Sequence, residues 1–401
     1  MNTARAHRPD YMLTVIVSVL LTFGLIMMYN INPALSQKLL GRVDAGYYFK
    51  GQLINIAAGV ISFMIASSIY YKVWRRYALL FLVISVIALL ALWVPGLSFS
   101  KNGATRWLNL GPVSFQPAEL LKLSMVVYLG AWFEKRQAEV KSFWDGVVPF
   151  AIMLGIMSVI VVVFQRDMGT MLVVAMSAMG MFYLAGIRLR DLGILVSGAV
   201  VAGWMAIVSF PHRLSRLATF LDPSKDASGG GYHVNQALIA IGSGGILGAG
   251  LGKSIQIYGY LPEASNDSIF AVIGEEFGLI GALLIIGLFG VLVWRGIKIA
   301  QTAPDMFARL VAGGLTLVLF FQAFINIAAM VSLVPLTGIP LPFISYGGSS
   351  LVIMMFAVGM LLNISKYTVK EVENANSAER WGNSRPRLAG VGSRRRPQTS
   401  R

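Results

Sequence analysis

The stretch Tyr260–Gly278, YLPEASNDSIFAVIGEEFG, carries acidic side chains at the point where a polar loop runs into an apolar segment. Asp267 lies at that junction, and Glu275 and Glu276 follow inside the apolar run. Ionisable groups are costly in hydrocarbon, so those found there usually mark a site or a pathway. We predict that Asp267 is a working carboxylate and that Glu275 contacts the same ligand. A second interpretation stays open, because Asp267 is also a good helix N-cap.

The stretch KNGATRWLNLGPVSFQPAELLKL holds a second group of charges, Lys101, Arg106, Glu119 and Lys122. Pro117 is tolerated in the first turn of a helix, which places the start of a helix there. Glu119 and Lys122 are three residues apart, so they share a helix face and can pair. The pair either orders a helix bundle or lines a polar cavity that orients a ligand headgroup, and the spacing leaves both readings open.

Further charges lie in two other polar segments. Asp167, in the turn QRDMG, is either part of a plain polar turn or a second carboxylate at the surface that carries Asp267, with Arg166 as its partner. Arg213 and Arg216 are three residues apart, and exposed arginines of this kind are usually solvated. Their guanidinium groups are also suited to clamping a pyrophosphate.

The segment Leu336–Ser350, LTGIPLPFISYGGSS, follows Pro335, so three prolines fall within a few residues and exclude a regular helix. Non-helical backbone at membrane depth has to line a cavity enclosed by protein. We therefore expect a groove wall here, with Ser345 and Ser349 as ligand contacts. The glycines of IGSGGILGAGLGKS are expected to serve close packing more than ligand approach. The P-loop pattern fails there, because position 247 is leucine.

Composition restricts the class of protein. The chain has 401 residues, of which 56% are hydrophobic and only 13% charged, and its mean hydropathy is +0.70. So much apolar surface requires the bilayer as solvent. The net charge of +15 favours anionic lipid headgroups over nucleic acid as a partner. Disulfides are excluded by the absence of cysteine, and the three histidines form no HExxH pattern that would predict a zinc site.

We predict an all-α, polytopic integral membrane protein with about ten transmembrane helices and one large extracytoplasmic loop, 211–270. Residues 1–10 form a short N-terminus, 11–366 the membrane domain and 367–401 a basic, disordered tail. Lysine and arginine are enriched in the short loops on the side of the N-terminus, which predicts that both termini are cytoplasmic. The predicted spans are 11–30, 51–70, 77–95, 116–133, 147–164, 168–187, 192–210, 271–294, 308–335 and 349–365.

Four of these stretches, in this order, resemble the signatures of the SEDS family, the RodA/FtsW group of peptidoglycan glycosyltransferases. They are GATRWLNLGPVSFQPAELLKL, QRDMGT, YLPEASNDSIFAVIGEEFG and TGIPLPFISYGGSS. One departure is that the family usually has His-Thr-Asp-Phe around its key aspartate, where this chain has Asn266-Asp267-Ser268. The stretches RLATFLDP and GAGLGKS look more like the FtsW division branch than the RodA elongation branch.

The resemblance implies an inverting transfer on Lipid II at the outer face of the bacterial cytoplasmic membrane. Undecaprenyl pyrophosphate leaves and a β-1,4-linked glycan grows. Asp267 matches the required aspartate and would act as general base, while Lys101, Arg106, Arg213 or Arg216 would offset charge on the leaving group. A divalent cation, Mg²⁺ or Mn²⁺, could assist, although the sequence offers no obvious cage. The implied partners are a class B penicillin-binding protein and other divisome or elongasome membrane proteins.

Two other functions remain open at this stage. A flippase for the lipid-linked precursor would also have many helices, interior charges and broken segments, although no convincing internal repeat is visible. A non-enzymatic scaffold of the division machinery would tolerate replacement of the extracytoplasmic acidic residues.

Overall fold

The computed structural model describes residues 8–40, 46–101, 104–109, 111, 114–222 and 229–368. In these ranges the chain forms thirteen α-helices and a small sheet of three short strands. The helices are α1 (Tyr11–Leu40), α2 (Tyr47–Ser68), α3 (Tyr71–Arg76), α4 (Ala78–Leu90), α5 (Pro117–Lys135), α6 (Val148–Val159), α7 (Met168–Leu184), α8 (Leu189–Val208), α9 (Pro211–Leu221), α10 (Gly230–Gly244), α11 (Ile269–Gln301), α12 (Met306–Met330) and α13 (Gly348–Ser365). The strands are β1 (Ser98–Lys101), β2 (Ala104–Asn109) and β3 (Ser114–Phe115).

The predicted class, a helical polytopic membrane protein, is confirmed. Among the described residues, seven helices are long and apolar enough to cross a bilayer. Two shorter apolar helices, Ala78–Trp93 and Met168–Leu184, lie at two further predicted spans, and α5 lies at the remaining one, 116–133. The exact number of crossings and the orientation of the termini stay predictions. Most of the predicted basic tail falls outside the described residues, which end at Thr368.

Helix α12 lies at the centre of the bundle and packs against α5, α7, α11 and α13. Within its most apolar window 72% of the residues are buried, whereas the corresponding value for α8 is 6%. A helix that is buried on all sides has to satisfy any polar side chain it carries from its neighbours. The polar residues of α12 are therefore the ones to trace toward a site.

The predicted loop regions contain more regular structure than expected. Strands β1, β2 and β3 pair antiparallel in that order, ahead of α5. Helices α9 and α10 form within the predicted loop 211–270. Residues 336–347, in contrast, have no helix, as the prolines predicted. The predicted span 308–335 is too long, because α12 ends at Met330, and residues 348–350 already belong to α13. Pro117 is the first residue of α5, also as predicted.

Helix α11 is broken at Gly278, whose φ of 63° and ψ of −162° lie outside helical values. The glycine-rich loop supplies the backbone hydrogen bonds that the helix lacks at this break. Ala249 and Gly250 donate backbone hydrogen bonds of 2.9 and 3.0 Å to the carbonyls of Glu275 and Glu276, which the break leaves without helical donors. A Cβ atom at Gly248 would lie 2.1 Å from the Glu276 carbonyl oxygen, which only glycine avoids. The predicted packing role is confirmed for Gly244 and Gly248, whereas Gly242 and Gly245 have open space around them.

Candidate active site

Four consecutive residues, Ser265–Ser268, are each held by a different hydrogen bond from elsewhere in the fold. The first two bonds come from the proline-rich segment. The backbone amide of Tyr346 donates to the Ser265 carbonyl over 2.8 Å, and the Ser345 hydroxyl donates to the Asn266 carbonyl over 2.5 Å. The Ser345 hydroxyl thus fixes the main chain beside Asp267, and its contact with a substrate stays a prediction.

The third bond fixes Asp267 itself. Asn326, on the central helix α12, donates from its side-chain amide to the Asp267 carbonyl and also to the Ile339 carbonyl, each over 2.7 Å. The side chain of Asp267 is half-buried. Helix α11 takes Ser268 as its N-cap residue, so Asp267 precedes the helix and is not its cap. The main chain of Asp267 is anchored, the residue as a whole is half-buried, and its carboxylate oxygen Oδ1 is buried.

The fourth bond comes from α10. The Nε2 atom of His233 lies 2.6 Å from the Ser268 hydroxyl oxygen, and the same hydroxyl donates to the Pro262 carbonyl over 2.8 Å. Ser268 occupies the place where the SEDS signature usually has phenylalanine. A hydroxyl that is hydrogen-bonded to His233 and to the Pro262 carbonyl therefore stands at this place in the sequence.

The chain segment 337–339 lies close to Asp267 and to the first turn of α7. Gly338 has a φ of +70°, and a Cβ atom placed on it would lie 3.8 Å from an Asp267 carboxylate oxygen. On the other flank, a Cβ atom at Gly169 would lie 2.8 Å from the Thr337 carbonyl oxygen. Asp267 and the first turn of α7 thus both lie beside this short segment, and a site shared by Asp167 and Asp267 stays a prediction.

Asp167 caps α7 and also joins the sheet to that helix. Its carboxylate accepts from the Thr170 backbone amide over 3.1 Å and from the Gln116 amide over 3.3 Å. The Arg106 guanidinium lies 4.0 Å from the same carboxylate and donates to the Arg166 carbonyl over 2.7 Å. Asp167 therefore caps α7, and the Arg106 side chain lies beside its carboxylate.

Glu119 and Lys122 form a fully buried ion pair, with 2.8 Å between nitrogen and oxygen. Lys122 also donates to the Gln322 side-chain oxygen over 2.5 Å. The amide nitrogen of Gln322 donates in turn to the Pro340 carbonyl over 3.1 Å. The pair is thus connected to the proline-rich segment through α12, which favours the ordering role over direct ligand contact.

Ser349 ties the start of α13 to the start of α5. Its hydroxyl accepts from the Gln116 backbone amide and donates to the Ser114 carbonyl, over 3.1 Å in both cases. The side chain is half-buried, so it lines the same end of the bundle as Asp167. Lys101 ends β1, and its side chain lies outside the described part of the structure.

The two arginines of α9 differ. Arg213 is buried and donates to the carbonyls of Val162 and Ala206, over 2.5 and 3.1 Å, while its guanidinium carbon lies 4.2 Å from the Phe210 ring centre. Burial lowers its pKa from the ordinary value. Arg213 therefore joins neighbouring helices, whereas Arg216 is exposed and near enough to His233 to influence its pKa.

Glu275 and Glu276 hold the glycine-rich loop. Glu275 accepts from the Ser254 hydroxyl over 2.5 Å and from the Ile255 backbone amide over 2.8 Å. Glu276 accepts from the Asn30 side-chain amide over 2.6 Å. Both carboxylates are buried. The loop occupies the Glu275 carboxylate, so a substrate contact by Glu275 stays a prediction.

Three polar residues of this region were not singled out from the sequence, namely Gln322, Asn326 and His233. Gln322 and Asn326 are four apart in an otherwise apolar helix, which is a signal for a shared polar face inside a membrane span. That spacing could have identified them. His233 carries no such signal, because its partner Ser268 is 35 residues away. Within the described residues, no three histidine, aspartate or glutamate side chains stand together as a metal site.

Together these observations define a polytopic helical membrane protein with a half-buried aspartate at a polar end of the helix bundle. The chain belongs to the cell cycle protein family of FtsW, RodA and SpoVE, whose pattern it matches over residues 10–370. It is 38% identical to stage V sporulation protein E of Bacillus subtilis, covering 91% of this chain and 99% of that protein. It is also 38% identical to the probable peptidoglycan glycosyltransferase FtsW of Trichlorobacter lovleyi, over 89% and 93% of the two chains.

Solved structures agree on the fold. A chain of a peptidoglycan synthase complex that coordinates polymerization and crosslinking superposes with a TM-score of 0.73 at 22% identity, covering 89% of this chain and 98% of that one. The rod shape determining protein RodA of Thermus thermophilus superposes with a TM-score of 0.64 at 24% identity, covering 90% and 98%. At these identities the superpositions establish the shared fold alone.

Proposed function

We propose that this chain polymerises Lipid II into β-1,4-linked glycan strands, with Asp267 as the general base. The observation that carries the proposal is the geometry of Asp267. Its main chain is anchored by α12, its neighbours are anchored on both sides, and the half-buried residue has its Oδ2 atom beside Gly338. General-base catalysis needs this combination of fixed position and access to the substrate hydroxyl.

That the chain is a peptidoglycan glycosyltransferase follows from its family and from the names of its curated relatives. The reaction balances as a single displacement. The oxygen of the acceptor sugar hydroxyl bonds to the anomeric carbon of the donor, and the bond from that carbon to the pyrophosphate oxygen breaks with inversion. The hydroxyl proton passes to Asp267, and undecaprenyl pyrophosphate departs as an anion.

The departing pyrophosphate needs compensating positive charge near the site. Arg106 lies beside Asp167, and Arg216 is exposed near His233. We assign the charge compensation to these two side chains. Arg213 is occupied by backbone carbonyls, and Lys122 is enclosed with Glu119, so their effects on the reaction are indirect.

The site requires access for a polyprenyl substrate, so we place it at the outer face of the bacterial cytoplasmic membrane, with both termini cytoplasmic. A crosslinking transpeptidase of the class B penicillin-binding type is the proposed partner, supported by the fold shared with the peptidoglycan synthase complex. Assistance by a divalent cation stays a prediction; among the described residues, no three histidine, aspartate or glutamate side chains stand together as ligands for one.

Incubation of the purified protein with Lipid II, with and without its transpeptidase, tests the proposal. We expect glycan polymer, resolved by length on a gel, from the wild-type protein. In parallel, reconstituted vesicles report transbilayer movement of labelled Lipid II. Movement of Lipid II without polymer would support a flippase instead. Absence of both activities would support a non-enzymatic scaffold.

A further inference from the structure

His233 and Ser268 form a contact whose direction can be deduced. A serine hydroxyl has one proton to donate, and a carbonyl oxygen can only accept. Since Ser268 donates to Pro262, it has to accept from His233, so Nε2 of the imidazole carries a hydrogen. In the neutral ring this leaves Nδ1 without a proton.

The surroundings of His233 keep the ring neutral. Burial is the main cause that lowers the pKa of His233, Glu263 opposes this, and Arg216 lowers the pKa further. Glu263 lies in the 261–268 turn and Arg216 on α9. On α11, Glu275 and Glu276 are bound by the loop at the far end of α10, where Gly244 and Gly248 pack against them. At neutral pH the contact is thus a neutral Nε2–H donor to Ser268.

We propose that His233 is a positioning residue for Asp267, which holds the carboxylate in place through Ser268 and slows glycosyl transfer when it becomes protonated. This inference rests on the proposed function of Asp267. Of the four bonds that hold Ser265–Ser268, the one from His233 is the bond made by a titratable side chain.

Protonation acts through charge more than through loss of the bond. The imidazolium ion keeps its Nε2–H donor, but it places a positive charge one hydrogen bond away from Ser268, the residue that follows Asp267 in the chain. A nearby positive charge stabilises the carboxylate and makes it a weaker base. Activity should therefore fall as the pH drops through the lowered pKa of His233.

Three single variants, together with the double mutant His233→Ala/Ser268→Ala, separate a positioning role of His233 from a role in general stability. His233→Ala removes the donor, Ser268→Ala removes the acceptor, and His233→Gln keeps an amide donor that does not titrate. The protein is assayed with Lipid II, and kcat and KM are measured from about pH 5 to about pH 8, a range that spans histidine titration.

We expect His233→Ala and Ser268→Ala each to lower kcat about tenfold with little change in KM, because a small misplacement of a catalytic group is costly. The double mutant should be no worse than either single mutant. His233→Gln should retain most of the kcat at about pH 7.5, with a weaker loss of activity at acidic pH.

Two results would overturn the inference: losses in kcat that add in the double mutant, or a pH profile of His233→Gln that overlays the wild-type profile. If His233→Ala does not fold, the profile of His233→Gln still decides. Failure of the proposed function is distinct, because it would appear as no polymer from the wild-type protein or as full activity in Asp267→Asn.

Discussion

Lys122 and Gln322 meet in the centre of the bundle, where the lysine ammonium donates a 2.5 Å hydrogen bond to the glutamine side-chain oxygen. One helical turn further along α12, Asn326 binds the Asp267 carbonyl. A buried charge and the proposed catalytic residue are thus anchored to the same face of one helix.

Lys122→Met should destabilise the folded protein by about 3–5 kcal/mol, because Glu119 would remain as an unpaired buried charge. Thermal unfolding in detergent measures the effect. Replacing both partners, Glu119→Leu with Lys122→Met, should recover much of the stability while activity stays low, since Gln322 loses its donor. Equal stability of the Lys122→Met variant and the wild type would contradict this account of the pair.

Asn326→Leu should lower kcat and stability together. It leaves the carbonyls of Asp267 and Ile339 without their donor, at a cost of about 1–3 kcal/mol for each buried group. Phe324→Leu is the matched control, because Phe324 is exposed on the same helix. The account fails if the two variants behave alike in both unfolding and polymerisation assays.

Gly248→Ala should sharply reduce the yield of folded protein. The new Cβ would collide with the Glu276 carbonyl in a backbone conformation, φ +83°, that L-residues rarely adopt. Gly242→Ala, in which the new methyl group meets nothing within 4 Å, serves as the control. Membrane yield and monodispersity on size exclusion are the readouts, and normal yield of Gly248→Ala would refute the proposed repair of α11.

The variants Asp167→Ala and Asp167→Asn should differ in stability. Loss of the cap to Thr170 costs about 1 kcal/mol, whereas asparagine keeps a capping oxygen. Both variants lose the charge opposite Arg106, so both should show a raised KM for Lipid II if Arg106 contacts pyrophosphate. Identical melting temperatures for the two variants would argue against the cap, and an unchanged KM would argue against the role of Arg106.

Stability should fall on acidification through His233. The folded-state pKa of His233 lies below its ordinary value of 6.5, so between these two values the unfolded chain binds a proton that the folded protein does not. Stability therefore rises with pH across this window and is lost as the pH falls through it. His233→Gln should flatten the pH dependence of the melting temperature in this range, and an unchanged slope would exclude the contribution.

The sequence was most informative where a motif is local. The pairing of Glu119 with Lys122, the helix start at Pro117 and the non-helical proline-rich segment all follow from residues within one or two turns. Contacts between distant segments could not be read in this way. The hydrogen bond from His233 to Ser268 depends on how α10 packs beside the 261–268 turn, and no sequence pattern around either residue predicts it.

Other differences have physical causes of the same kind. The break in α11 at Gly278 is hidden in the sequence because apolar residues continue on its C-terminal side and a distant loop supplies the missing hydrogen bonds. The strands before α5 are short and lie outside the apolar spans, so periodicity gives little signal for them. Arg213 looked solvent-exposed in the sequence, yet two carbonyls and the Phe210 ring enclose it.

Polymerisation of Lipid II by purified Asp267→Asn tests the central claim most directly. A suitable control is Asp145→Asn, which removes an exposed carboxylate bound to Ser142 in the connection beyond α5, at the opposite end of the bundle. With melting temperatures matched to the wild type, we predict glycan polymer from the control and none from Asp267→Asn. Polymer formation at the wild-type rate by a folded Asp267→Asn protein would contradict the account.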